Sequence, residues 1–262
     1  MREVGHERLR FHHGRGPDRR VGFLCVRPNL FAHCPKGPKM NIWFAIPSIR
    51  PDRAAVTLPE WKARGFMTAV AIDHAADPDP YLAIADVIQQ VDYIGYGDAV
   101  NYLARYLVRN HGADIVVTGG DDHHPDPNHT AQHIAKGFAK RFPDLYGVMQ
   151  PTGDGFPGNR HAATSPWIGS GFIRRAYNGH GPFHPAYYHF NVDCELREVA
   201  IQQDCYWERR DIQHQHDHWT RQPGGKRPEH LTRAHAEDPR DRALFLKRQA
   251  DRFPGSEPME AM

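Results

Sequence analysis

The sequence of 262 residues has few cysteines, no long apolar run and no strong excess of charge of either sign. Its four cysteines include no Cys-x-x-Cys pair, which argues against a zinc knuckle, and they are too few for a disulfide framework in a chain of this length. No apolar stretch approaches the length of a membrane span, and the N-terminus lacks the apolar core of a signal peptide. The 33 basic residues nearly balance the 31 acidic ones, so the basic excess of a dedicated nucleic-acid binder is missing. We therefore expect a cytoplasmic protein without a transmembrane segment.

Composition divides the chain into three segments. Residues 1–39 are rich in Arg, His, Gly and Pro, and we expect them to form a poorly ordered extension. Residues 40–220 are predicted to form the main domain. Residues 221–262 are predicted to form a linker followed by an amphipathic helix.

Strand and helix patterns alternate through the first part of the main domain. Buried apolar runs predict strands at residues 41–47, 66–72, 91–96, 114–118 and 145–149. Helical spacing predicts helices at residues 58–65, 99–112 after a cap at Asp98, 129–141, 193–203 and 239–252. Residues 151–172 are rich in Gly, Pro and Ser and are predicted to be a loop. The alternation predicts a single α/β domain with a mostly parallel, twisted, Rossmann-like sheet that is flanked by helices.

The stretch Gly-Gly-Asp-Asp-His-His at residues 119–124 directly follows a predicted strand. Ligands of open parallel sheets bind beyond the carboxyl ends of the strands, where Ser48 and Asp73 are also expected. The adjacent carboxylates of Asp121 and Asp122 repel each other, and a divalent cation such as Mg²⁺ or Mn²⁺ would let both stay ionised. The alternative is that the pair caps the next helix or is solvated in a turn.

Histidine is unusually frequent, with 19 residues, and a second cluster lies at residues 212–219. Its three histidines alternate, so His214, His216 and His218 would share one face of an extended segment. His214 and His216 are therefore candidates to complete a metal site that begins at Asp122, since Mn²⁺ also accepts imidazole. An exposed polar edge is the ordinary alternative, and zinc bound by a histidine triad is the competing metal site.

Two acidic residues, Asp193 and Glu195, precede an apolar helical run. A carboxylate in this position can act as a general base that takes a proton from a hydroxyl group. It can equally cap the helix or interact with the helix dipole, so the residues alone leave both interpretations open.

Taken in order, these motifs resemble those of a GT-A-fold glycosyltransferase of the family-2 type. The resemblance covers roughly residues 41–220. It matches a turn after the first strand, a strand-end aspartate, an Asp-x-Asp metal motif, an acceptor-side glycine-rich turn at residues 167–175, a base motif at residues 192–196 and a late histidine. The residues that match the nucleotide-binding motifs are Pro47, Ser48, Arg50, Asp73 and Asp121.

The resemblance implies an inverting transfer of a sugar from a nucleotide-sugar, UDP- or GDP-linked, to an acceptor hydroxyl. Asp193 would be the general base, with Glu195 as its competitor. Asp122, with His216 or His214, would hold Mn²⁺ or Mg²⁺ against the donor diphosphate. The acceptor would be a glycan, a lipid-linked sugar, a protein or a modified nucleic acid.

Other functions compete with this one. A sugar-1-phosphate nucleotidylyltransferase also uses an α/β sheet and Mg²⁺, but the loop at residues 47–53 lacks the glycines of a phosphate-binding loop. A zinc hydrolase is disfavoured because no His-Glu-x-x-His motif is present. A non-catalytic carbohydrate- or metal-binding module stays open.

Overall fold

Strands and helices alternate along the structure, a computed structural model that describes residues 23–25 and 39–260. The strands are β1 (Phe23–Cys25), β2 (Ile42–Pro47), β3 (Met67–Asp73), β4 (Val87–Val91), β5 (Ile115–Val117), β6 (His123–His124), β7 (Val148–Pro151), β8 (Trp167–Gly169), β9 (Tyr206–Arg209) and β10 (Gln215–His216). The helices are α1 (Pro51–Ala63), α2 (Tyr96–Asn110), α3 (Ala131–Arg141), α4 (Ser170–Arg175), α5 (Val192–Gln202) and α6 (Thr232–Ala250). The predicted N-terminal extension, residues 1–39, lies outside the described residues except for β1 and Lys39.

Eight strands form one sheet in the order β1-β4-β3-β2-β5-β8-β7-β9. All the strands point the same way except β1 and β8, which are antiparallel to their neighbours. A separate ribbon pairs β6 with β10 in antiparallel register. The predicted single α/β domain with a mostly parallel, Rossmann-like sheet is thus confirmed.

Helices cover both faces of the sheet, as the continuously apolar strand β2 requires. Phe44 stacks on Trp61 of α1 with ring centroids 3.8 Å apart. The adjacent side chain of the strand, Trp43, points to the other face. Its ring centroid lies 5.2 Å from that of His111, the residue that follows α2. Both strand residues are fully buried, so the centre of the core lies where β2 passes between the two helices.

Several strands of the sheet differ from the predictions: β1 and β9 are not predicted at all, and β7 begins at Val148 rather than at residue 145. The strand predicted at residues 91–96 is wrong because β4 ends at Val91, and its polar residues Gln89 and Gln90 conceal it in the sequence. Gln89 is buried and accepts a hydrogen bond from the Tyr102 hydroxyl at 3.1 Å. The loop predicted at residues 151–172 is also wrong in part, because β8 lies inside the sheet between β5 and β7.

The predicted glycine-rich turn at residues 167–175 is strand β8 followed by helix α4. Its glycines allow close packing, since a Cβ atom at Gly169 or Gly171 would collide with the backbone carbonyls of Leu145 and Asp144. Their presence is therefore explained by the fold alone.

Three helix starts also differ from the predictions. The helices predicted at residues 58–65 and 239–252 start near prolines that are internal to the observed helices, because α1 begins at Pro51 and contains Pro59, and α6 begins at Thr232 and contains Pro239. Helix α2 begins at Tyr96 after Gly95, so Asp98 lies in its first turn and does not cap it.

The C-terminal helix α6 is tied to the main domain. The fully buried Asp241 accepts hydrogen bonds from the backbone N–H groups of Tyr188, His189 and Phe190 at 2.8–3.0 Å. The domain boundary expected at residue 220 stays a prediction, but the segment beyond it helps to fix the loop before α5. No helix in the described ranges is both long and apolar enough to span a membrane.

Candidate metal centre at the strand ends

The site is built around the sharp turn after β5. Gly120 accepts a hydrogen bond from the His123 N–H at 3.1 Å and donates its own N–H to His123 Nδ1 at 2.9 Å. Added Cβ atoms at Gly119 and Gly120 would lie 3.0 Å from the His123 ring and 2.6 Å from Asp122 Oδ1. The two glycines therefore let Asp122 and His123 fold back against the turn.

Helix α1 holds the backbone of the same turn. Thr57 Oγ1 donates to the carbonyl of Asp121 at 3.3 Å, and the Trp61 indole N–H donates to the carbonyl of His123 at 2.9 Å. Both helix residues are buried. The turn is thus fixed by the fold before any ligand binds.

Asp122, His123 and His216 form one cluster of side chains that could hold a metal ion. Asp122 Oδ1 lies 3.3 Å from His123 Nδ1 and 3.6 Å from His216 Nε2. The β6–β10 ribbon pairs His123 with His216, and their rings stack with centroids 3.8 Å apart. All three ligand atoms lie within 4.8 Å of one another, a separation that one bound cation can bridge.

The protonation of this cluster fits a cation. The Gly120 N–H donates to His123 Nδ1, which lies 3.3 Å from Asp122 Oδ1. Burial lowers the pKa of His216 to about 2, so its imidazole is neutral and able to bind metal. Burial acts to raise the pKa of Asp122, but His123 and the nearby charges hold it well below its usual range.

Asp121 points away from this cluster. It accepts a hydrogen bond from Ser48 Oγ at 2.8 Å and forms an ion pair with Arg50, whose Nη2 also lies 3.5 Å from Asp122 Oδ2. Burial acts to lower the pKa of Arg50, but the pairing with Asp121 raises it overall. Neither aspartate caps the next helix, because Thr130 caps α3.

The structure does not bring His214 to the cluster. Its ring nitrogens contact the Ser165 hydroxyl and the Trp167 indole N–H, the latter at 3.2 Å, and burial lowers its pKa to about 3. His214 lies just before the two-residue strand β10 and is itself buried. His123 takes the place that was expected for His214. The sequence did not single out His123, although this residue directly follows Asp122.

The outer side of the cluster is covered by the loop before β8 and the segment after β10. The Phe156 ring meets the His216 ring edge-on at 5.0 Å, and the Arg221 guanidinium lies 5.5 Å from the Phe156 ring centroid. Arg221 is held by Asp154 at 2.9 Å. An aromatic ring and a second guanidinium group therefore border the cluster in addition to Arg50.

The two candidate bases differ sharply in their surroundings. Glu195 has no exposed surface; it accepts hydrogen bonds from the hydroxyls of Tyr177 and Tyr187 and pairs with Arg248 at 2.8 Å. Its carboxylate is therefore fully paired inside the core and is not available as a base, contrary to the alternative that the sequence left open.

Asp193 is only partly covered, and it lies in the first turn of α5. Burial raises its pKa. Burial also raises the pKa of Tyr96, and the charges of Asp193 and Asp122 add to that rise. The Tyr96 hydroxyl donates to the carbonyl of Gly119 at 3.3 Å, in the turn that carries the cluster.

Pro47 and Asp73 lie at the ends of β2 and β3, on the same edge of the sheet. Asp73 is half-buried and accepts hydrogen bonds from the backbone N–H groups of Ala75 and Tyr93 at 2.8 and 3.4 Å. Within the part of the chain that the structure describes, it makes no hydrogen bond or ion pair with the cluster residues. Its predicted contact with a nucleotide base stays a prediction.

No protein-family model matches the chain, and no curated protein is significantly similar to it. The functional interpretation therefore depends on the geometry of the site. That geometry combines one carboxylate, two imidazoles and two bordering guanidinium groups beyond the ends of parallel strands. Such an arrangement can bind a divalent cation together with a phosphorylated ligand.

Proposed function

We propose that the chain is a metal-dependent glycosyltransferase that moves a sugar from a UDP- or GDP-linked donor to an acceptor hydroxyl with inversion. The observation that carries the proposal is the cluster of Asp122, His123 and His216 at the carboxyl edge of a parallel sheet, beside the Arg50 guanidinium. This edge is where open α/β sheets bind their ligands.

Asp122, His123 and His216 would hold the cation, and their mixture of one carboxylate and two imidazoles favours Mn²⁺ over Mg²⁺. When bound, the cation supplies Lewis-acid compensation of the charge on the departing diphosphate. Arg50 adds a fixed positive charge; its side chain is 25% exposed and so can reach a phosphate while Asp121 holds it.

Asp193 would take the proton from the acceptor hydroxyl. A carboxylate whose pKa is raised by burial is a stronger base than an exposed one, which suits this step. Its Oδ1 already accepts the Cys194 N–H at 3.0 Å, which fixes the direction of the side chain. Asp73, Pro47 and Ser48 would select the nucleotide at the ends of the first two parallel strands.

The test is the release of nucleoside diphosphate from a panel of UDP- and GDP-sugars, with Mn²⁺ or with a chelator, in the presence of simple sugar acceptors and water. We expect release with Mn²⁺, loss on chelation, and recovery when Mn²⁺ is restored. Asp193→Asn should abolish release, whereas Asp92→Asn, at an exposed aspartate, should not.

Each alternative gives a different result in the same assay. Release of pyrophosphate from a nucleoside triphosphate and a sugar-1-phosphate would indicate a nucleotidylyltransferase. Metal binding without either product would indicate a binding module. Either result would contradict the proposed transfer reaction.

A further inference from the structure

His124 lies on the other face of the β6–β10 ribbon from the metal cluster. Successive side chains of a strand point to opposite faces, so His123 faces Asp122 and His124 faces away. His124 Nδ1 lies 2.7 Å from Glu60 Oε2, and its Nε2 lies 3.1 Å from Asp217 Oδ2. Both nitrogens of one ring are thus engaged by carboxylates from separate parts of the chain.

The two carboxylates connect His124 to the elements that carry the metal-ligating side chains. Glu60 precedes Trp61, whose indole N–H donates to the carbonyl of His123. Asp217 directly follows His216, and its backbone N–H donates to the carbonyl of Asp122 at 2.9 Å. His124 therefore joins α1 to the end of β10 across the back of the cluster.

We propose that His124 is a positioning residue, clamped between Glu60 and Asp217, that sets the spacing of His123 and His216 around the bound cation. The proposal rests on the metal site of the proposed function. The Glu60 side chain is 46% exposed, so this contact adds little to the stability of the whole fold. Outer partners of metal-binding side chains nevertheless change metal affinity about 10- to 100-fold.

Cobalt titration of the metal-free protein tests the proposal, because the visible absorption of Co²⁺ reports both its affinity and its coordination geometry. His124→Ala should weaken Co²⁺ binding about tenfold and change the absorption spectrum. Glu60→Gln and Asp217→Asn should each have a smaller effect in the same direction. His161→Ala, at an exposed histidine, serves as the control and should leave both unchanged.

Thermal unfolding in a chelator separates positioning from general structure. The melting temperature of the metal-free His124→Ala protein should stay within about 2 °C of the wild type. Unchanged Co²⁺ affinity and spectrum in His124→Ala would overturn the proposal, as would a loss of affinity that comes with a large fall in that melting temperature. If His124→Ala does not fold, unchanged affinity in both Glu60→Gln and Asp217→Asn overturns it instead.

Failure of this inference and failure of the proposed function give different results. A wild-type protein that binds Co²⁺ and is unaffected by His124→Ala refutes the clamp and leaves the transfer reaction untouched. A clamp that behaves as expected in a protein without transferase activity refutes the reaction and supports the clamp. A wild-type protein that binds no Co²⁺ refutes both.

Discussion

At the scale of single residues, the adjacent aspartates of the Gly-Gly-Asp-Asp turn have different partners. Asp121 pairs with Ser48 and Arg50 after the first parallel strand, while Asp122 lies beside two histidines. The backbone of the turn, held by α1, separates them. A pair that looks like one motif in the sequence therefore contributes one ion-pair partner for Arg50 and one carboxylate of the candidate metal cluster.

The histidines provide the first prediction. His123→Ala or His216→Ala should reduce Mn²⁺ affinity by at least about tenfold, because each removes one of three ligand atoms. His214→Ala should leave Mn²⁺ affinity nearly unchanged. It should lower the melting temperature, because it leaves the buried Ser165 hydroxyl and Trp167 indole N–H without their hydrogen-bond partner. Calorimetric Mn²⁺ titration and thermal unfolding measure the two effects. Loss of Mn²⁺ binding in His214→Ala alone would contradict the assignment.

Asp193 provides a second prediction, which concerns pH. Burial raises the pKa of Asp193 in the folded protein above the ordinary value of 3.8. The stability that protonated Asp193 contributes is therefore fully present below pH 3.8, and it is lost as the pH rises through the pKa of the folded protein. Asp193→Asn should therefore have a higher melting temperature than the wild type at pH 7, and the difference should shrink as the pH falls towards 4. Donor binding should persist while transfer is lost.

Thermal unfolding of both proteins between pH 4 and pH 7 measures the stability difference. A difference that stays constant over this range would show that Asp193 is not desolvated in the fold. Normal turnover by Asp193→Asn would remove Asp193 from the reaction.

At the scale of elements, the ion pair between Glu195 of α5 and Arg248 of α6 joins two helices across the core. Removing one partner of a buried pair leaves an uncompensated charge, so Arg248→Met should lower the free energy of unfolding by about 3 to 5 kcal/mol. Adding Glu195→Gln to that variant should recover part of the loss. Urea unfolding measures both values, and Arg240→Met, at an exposed arginine of α6, is the control.

The sequence predicted the elements whose pattern is strong and local. The apolar runs of β2, β3 and β5 and the buried stripe of α2 were predicted in place, because these residues are buried on the faces that their spacing implies. Strand β4 was missed because its polar residue Gln89 is buried and accepts a hydrogen bond from Tyr102 that no local pattern reveals.

Strand β8 was missed for a different reason. Its glycine and the glycines around it indicate a loop by composition, but here they let the chain pass close to other backbone atoms inside the sheet. Tertiary packing, which local composition does not encode, decided this element.

At the scale of the whole molecule, the candidate site is assembled from distant parts of the chain. The sequence predicted that Asp122 and His216 come together, and the structure places Asp122 Oδ1 3.6 Å from His216 Nε2. It could not predict that β6 pairs with β10, which selects His123 and leaves His214 in the core. That pairing is a long-range contact without a local signature, so the third ligand depended on the fold.

In the proposed reaction, the cluster of Asp122, His123 and His216 binds a divalent cation that in turn binds a nucleoside diphosphate. The most direct measurement is calorimetric titration of the protein with UDP and with GDP, in Mn²⁺ and in a chelator. We expect one of the two to bind at least tenfold more tightly in Mn²⁺, and Asp122→Asn to remove the difference. Equal affinity with and without Mn²⁺, or no binding of either nucleotide, would contradict it.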